Sequence, residues 1–92
     1  MKSAYELALE RLEQQGIERP REEALTDETR ARMAEARRQA EAKLAELEIL
    51  HHDRLSRMID PAERDKEDEE YARERRRIEE ARDRKLAELR AG

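Results

Sequence analysis

Apolar residues recur at helical spacing along this chain, and they first do so near its N-terminus. In residues 4–15, Tyr5, Leu9 and Leu12 are separated by four and three residues, which places them on one face of a helix. Ser3 stands directly before this segment, where its hydroxyl can cap the first turn. The sequence therefore predicts a short amphipathic helix over residues 4–15.

A second segment carries a longer apolar stripe and is predicted to form a helix over residues 27–59. Thr26 precedes it as a candidate N-cap. The stripe consists of Met33, Ala36, Ala40, Leu44, Leu47, His51, Leu55 and Met58. Several of its members recur every eleven residues, as Met33, Leu44 and Leu55 do. A period of 3.67 residues per turn predicts nearly straight or slightly right-handed packing.

A third helix is predicted over residues 61–90, beginning at a proline. Pro61 suits the first helical position, where no backbone N–H is needed, and Asp60 is the expected N-cap. Glu63 completes a pattern that resembles a capping box. Residues 16–26 are interpreted as a linker between the first and second helices, so that residues 1–92 form one helical domain.

The two long segments are predicted to pack against each other as an antiparallel hairpin. If the chain reverses near Pro61, facing residues have numbers that sum to about 122, and apolar positions then meet apolar positions. The matched pairs are Met33 with Leu89, Ala36 with Leu86, Leu44 with Ile78, and His51 with Tyr71. The alternative is one long helix that is only kinked at Pro61. The complementary stripes favour the hairpin.

Composition adds a reason to expect a second copy of the chain. Half of the residues are charged, and 14 of the 33 apolar residues are Ala, so the material for a core is thin. Burying further apolar surface in a homodimer would add to it. The chain contains no Cys and no long apolar run, which favours a cytoplasmic protein without a membrane span. The net charge of −4 gives no reason to expect nucleic acid.

Charge is distributed unevenly along the predicted hairpin. Residues 60–70 contain seven acids and two bases, whereas residues 71–92 contain eight bases and five acids. The closed tip is therefore acidic and the open end is basic. Such rods are expected to associate head to tail, which would make an antiparallel four-helix bundle.

One pattern suggests a metal site. Glu48 and His51 form a Glu-x-x-His unit, and Glu74 falls opposite Glu48 in the predicted register. A dimer would supply this set twice, as in ferritin-like carboxylate bundles. The alternative is that His51 packs near Tyr71 without a metal. The alternative is favoured, because Glu-x-x-His is a common pattern in a Glu-rich chain.

Two resemblances concern the hairpin and the N-terminus. In layout, the acidic tip resembles the coiled-coil fingers of transcription factors that enter the secondary channel of RNA polymerase, which implies a regulatory role as a further alternative. Residues 1–12 read MKSAYELALERL, and with Leu25 and Thr26 they resemble a family of small uncharacterised bacterial helical proteins. That resemblance implies a cellular context and no mechanism.

No motif for catalysis or cofactor binding is present. The sequence contains no Ser/His/Asp arrangement, phosphate loop or zinc spacing, and a thin helical rod encloses no deep pocket. We therefore expect an all-α, non-enzymatic protein–protein interaction module without a cofactor. Its predicted partner-facing residues are Tyr5, Leu9 and Leu12.

Overall fold

The structure is a computed structural model that describes residues 2–14 and 25–92, with side chains for residues 2–11 and 25–92. These parts of the chain form three α-helices and no strand. Most of the predicted linker, including Gly16 and Pro20, lies outside the described residues.

The helices are α1 (Ala4–Gln14), α2 (Asp27–Ser56) and α3 (Pro61–Ala91). Helix α2 was predicted to run to residue 59, and that boundary is wrong by three residues. The chain needs a non-helical connection to reverse, and residues 57–60 provide it. No helix in the described segments is both long enough and apolar enough to cross a lipid bilayer.

The predicted N-caps of α1 and α2 are confirmed. The backbone N–H of Glu6 donates to Ser3 Oγ at 3.2 Å, and that of Thr29 donates to Thr26 Oγ1 at 3.1 Å. The prediction for α3 is wrong in one respect. Asp60 has the extended backbone of an N-cap and Pro61 follows it, but the Asp60 side chain makes no capping hydrogen bond. The start of α3 therefore lacks a side-chain cap at Asp60 and relies on the fixed backbone conformation of Pro61.

An arginine that the sequence reading overlooked closes the turn between α2 and α3. Arg64 Nη1 donates to the backbone carbonyl of Leu55 at 2.7 Å and to that of Met58 at 3.1 Å. The Leu55 carbonyl also accepts from the backbone N–H of Met58 at 3.1 Å, so Arg64 adds a second donor there and supplies a side-chain donor to the Met58 carbonyl beyond the helix end. Arg64 thereby ties the first turn of α3 to the end of α2.

Helices α2 and α3 pack against each other in antiparallel orientation, so the hairpin is confirmed. The rings of His51 and Tyr71 are stacked, as the predicted register requires. Every position of the predicted α2 stripe is buried or half-buried. The buried apolar side chains are Met33 and Ala40 in α2 and Leu86 in α3. The seam between the helices is thus the core of the described protein.

Large apolar side chains remain exposed outside this seam. Leu50 is 44% exposed and Ile59 is 94% exposed. The radius of gyration is 21.0 Å, whereas a compact domain of this length has about 12 Å. The chain is therefore an elongated rod that leaves apolar surface uncovered.

Candidate interaction face and buried histidine cluster

A polar cluster around His51 occupies the seam near the closed tip. The imidazole is stacked on the Tyr71 ring with 4.0 Å between the ring centroids and 5° between the planes. Its Nδ1 lies 3.4 Å from Glu67 Oε1, and its Nε2 lies 3.1 Å from Asp68 Oδ1. A neutral imidazole carries one N–H, so only the protonated ring donates to both carboxylates at once. We call these four residues and Arg54 the histidine cluster.

Glu67 is the unexpected member of the histidine cluster because it is only 6% exposed. Its Oε1 contacts both His51 and Arg54 Nη1, each at 3.4 Å. A buried carboxylate is costly unless it is hydrogen-bonded and paired with a positive charge. Within the described residues, no buried side-chain nitrogen or oxygen lacks a hydrogen-bond partner. The cluster is therefore fully satisfied.

Sequence reasoning found His51 and Tyr71 but missed Glu67. Residues four apart share a helix face, so Glu67 lies one turn before Tyr71 on the face that meets α2. Glu67 lies in a run of acidic residues, and the sequence alone does not show which of them is buried. The spacing of four residues between Glu67 and Tyr71 could have predicted that Glu67 faces α2.

A groove lies between α2 and α3 towards the open end of the hairpin. Its volume is about 300 Å³, and its floor includes Ala36, Ala40 and Ile78. The charged residues that line it are all basic: Lys43, Arg77, Arg82 and Lys85. An apolar floor with a cationic rim suits an acidic partner that carries apolar side chains.

Two further depressions continue this groove along the same side of the hairpin. One of about 340 Å³ lies beside the histidine cluster, and one of about 390 Å³ lies near the open end. Their lining residues follow one another at steps of three or four in each helix, so they share one flank. We call this surface the grooved face. It comprises Arg32, Ala36, Gln39, Lys43, Leu47 and Arg54 of α2 with Glu67, Glu70, Glu74, Arg77, Ala81, Lys85 and Leu89 of α3.

The charges of α3 change sign midway along the grooved face. Glu67, Glu70 and Glu74 come first, and Arg77 and Lys85 follow towards the open end. On α2 the pattern is weaker, because Arg54 lies in the acidic half. Along the α3 edge of the grooved face, the half near the tip is therefore acidic and the half near the open end is basic.

Glu35 lies at the open-end edge of the grooved face and contributes a negative charge there. A hydrogen bond from Arg38 and the positive charge of that guanidinium lower the pKa of the Glu35 carboxyl below its ordinary value. Arg38 Nη2 lies 2.6 Å from Glu35 Oε2. Glu35 is thus neutralised by its own helix. Arg77 and Arg82 of the groove rim are likewise paired, with Glu74 and Asp83, so the net positive charge of the rim comes from Lys43 and Lys85.

The residues of the hypothetical metal site are not brought together within one chain. Glu48 faces His52, with 3.9 Å between its Oε1 and His52 Nε2, while Glu74 pairs with Arg77 at 3.0 Å. His51 is engaged by Glu67 and Asp68. Across the described segments, no group of three or more His, Cys, Asp or Glu side chains could hold a metal ion. His51 and Glu74 do line the same depression, but Glu48 does not.

The predicted partner-facing residues of α1 differ in exposure. Tyr5 is 73% exposed, and Leu9 is half-buried. The side chain of Leu12 lies outside the described residues. Leu7, which was not selected from the sequence, is 50% exposed. Helix α1 thus presents apolar surface on more than one side.

Comparisons of the chain with protein-family models, with curated proteins and with solved structures found no match.

Proposed function

We propose that this protein is a non-enzymatic interaction module whose helical hairpin associates with a second copy of itself. The observation that carries the proposal is the contrast between a very small core and a large uncovered apolar surface. Three apolar residues in the described chain are buried, whereas five large apolar side chains are exposed. Small scaffolds with so little core commonly gain stability by oligomerisation.

The charge distribution supports association between copies of this chain. The acidic segment 60–70 and the basic rim of the groove carry opposite charges at opposite ends of one rod. Complementary charges speed encounter and favour one orientation over others. An antiparallel four-helix bundle of two hairpins joins each acidic tip to a basic open end.

The mass of the untagged protein in solution tests this proposal. We expect light scattering behind size exclusion to give twice the chain mass of 11.0 kDa at micromolar concentrations. The dimer should dissociate more readily as salt is raised, since exposed charges are screened over about 8 Å at physiological ionic strength. A mass of one chain at every concentration up to the millimolar range would refute self-association.

A second function is favoured by the exposed side chains of α1, which suit a protein partner. Tyr5 is largely uncovered by the rest of the described chain, and a tyrosine of this kind is a common anchor in interfaces. On this proposal Tyr5, Leu9 and Leu12 form the contact surface of α1.

The contact surface of α1 is tested by placing charge on it. The double substitution Leu9→Asp and Leu12→Asp should abolish a co-purifying partner or change the oligomeric mass. Arg11→Asp serves as the matched control, since it places a carboxylate on the same helix at an exposed position about 200° from Leu9. If the double variant retains the same mass and the same co-purifying proteins, α1 is not a contact surface.

A further inference from the structure

The grooved face can be assigned a specific partner and orientation. We infer that two copies dock grooved face to grooved face, antiparallel, about a two-fold axis at the midpoint of α3. This inference rests on the proposed self-association and goes beyond it, because it names the surface, the orientation and the register. Its basis is the order of charges along α3 together with the apolar floor of the groove.

The sign change on α3 coincides with the centre of the helix. Helix α3 spans Pro61–Ala91, so its midpoint is residue 76. On the grooved face, Glu74 and Arg77 lie on either side of that point. A two-fold axis there makes the numbers of facing residues sum to about 152, so α3 of one copy overlaps α3 of the other along its whole length.

This register brings opposite charges together at two levels of the interface. Glu74 bonds Arg77 of its own chain at 3.0 Å, and in this register it also faces Arg77 of the second copy. Glu70 faces the turn that carries Arg82 and Lys85. Because the axis is two-fold, each contact occurs twice. A parallel two-fold arrangement would instead stack α3 on α2 of the second copy and place Arg77 and Lys85 against Lys43 and Arg32, and contacts between like charges are destabilising.

Leu50 supplies an apolar contact for the same arrangement. It is 44% exposed, and it lies three residues after Leu47 and four before Arg54, so it shares their flank of α2. Ile49 is 70% exposed but lies a further 100° around the helix, away from this flank. The grooved face therefore combines an apolar floor, an exposed leucine and self-complementary charge.

Charge reversal tests the pairing between the two halves of α3. Glu70→Lys and Lys85→Glu should each weaken the dimer at least tenfold in dissociation constant, because each places like charges opposite each other twice. The double variant restores opposite charges and should regain affinity to within about threefold of the parent. Asp65→Lys is the matched control, since it lies five residues before Glu70, about 140° around the helix.

Single cysteines test the face and the orientation, and the absence of native Cys makes them unambiguous. Glu74→Cys should be joined efficiently between copies by a short bismaleimide, since the two positions are offset by about 6 Å along the helix axis. Glu48→Cys lies at the same level of the rod on the other flank of α2 and should not be joined. Arg32→Cys lies on the grooved face near the open end and should be joined only in a parallel dimer.

The outcomes separate this inference from the broader proposal. A dimer that cross-links through Glu48→Cys or Arg32→Cys would overturn the face or the orientation while leaving self-association intact. A dimer whose dissociation constant is unchanged by both Glu70→Lys and Lys85→Glu would overturn the register. A strictly monomeric protein would remove both the inference and the proposal on which it rests.

Discussion

The two halves of the hairpin are held together by different chemistry. Near the open end the seam is apolar, with Met33 and Leu86 buried. Near the tip it is polar, with His51 and Glu67 buried and Tyr71 stacked on the imidazole. The same two helices therefore pass from a hydrophobic contact to an ion-paired one within about 30 residues.

This difference suggests that one half of the seam holds the two helices together and the other half fixes their register. An apolar stripe of Ala, Leu and Met can pack after a shift of one helical turn, because its members recur at helical spacing. The histidine cluster tolerates no such shift, since Glu67 would lose His51 and Arg54 and remain buried without a partner. We interpret the apolar half as the main source of stability and the histidine cluster as the element that fixes the register.

The largest expected effect comes from emptying the apolar half. Met33 is 2% exposed, so Met33→Ala leaves a cavity and should lower the free energy of unfolding by about 2–4 kcal/mol. Urea denaturation followed by circular dichroism measures it. The matched control is Ile49→Ala, an apolar truncation on the same helix at a site that is 70% exposed. An equal loss in both variants would mean that the buried stripe is not the stabilising half.

The next effect concerns the polar half. Glu67→Leu leaves His51 and Arg54 without their shared acceptor, and His51→Phe leaves Glu67 with one partner fewer. Each single substitution should cost about 1–3 kcal/mol. The double variant should lose less than the sum of the two, because it removes both polar groups and leaves an apolar pair in their place.

The same variants test the role in alignment. Cross-linking of paired cysteines in α2 and α3 should show one register in the parent and several in the double variant. Strict additivity of the two losses, with a single register throughout, would contradict the proposed division between stability and alignment.

A smaller effect is expected at the turn that joins the halves of the chain. Arg64→Ala removes two hydrogen bonds to the carbonyls of Leu55 and Met58, which should cost about 1 kcal/mol. Amide hydrogen exchange should accelerate at Arg57 and Met58, whose N–H groups close the last turn of α2. Arg73→Ala, an exposed arginine on the same helix, should leave these amides unchanged. Unchanged exchange in the Arg64 variant would show that the turn needs no side-chain bond.

The smallest effect is electrostatic and local. Arg38 lowers the pKa of Glu35, so Arg38→Ala should raise that pKa towards its ordinary value. A carboxyl with a lowered folded-state pKa stabilises the protein above its unfolded pKa, and this contribution is lost as the pH falls through the folded pKa. NMR titration of the Glu35 carboxyl measures the shift. Gln39→Ala should move it less, since Gln39 is the weakest contributor. A larger shift from Gln39→Ala would reverse this assignment.

Much of the fold could be predicted from the sequence because it follows from helical spacing. Helical periodicity predicts the α2 stripe. The antiparallel register, in which facing residue numbers sum to about 122, predicts the reversal near Pro61 and the stack of His51 on Tyr71. The end of α2 could not be placed as well. The spacing of apolar residues predicts a helix through residues 57–59. These residues are not helical because the chain needs a connection there to reverse direction.

The candidate site was less predictable, for a physical reason. Among many similar acids, spacing alone does not say which carboxylate a partner helix will cover, so Glu67 and Asp68 were missed. Arg64 was missed because its partners are backbone carbonyls, and a bond to a backbone carbonyl cannot be predicted from the pattern of side chains.

The eleven-residue repeat of α2 has a consequence for how such a rod can change in length. Met33, Leu44 and Leu55 return to the same face after eleven residues. Inserting eleven residues into each long helix, at matching levels, would lengthen the hairpin by about 16 Å with little rotation of its faces. The architecture can thus grow or shrink in modules, with the turn at Pro61 and the open end carried along unchanged.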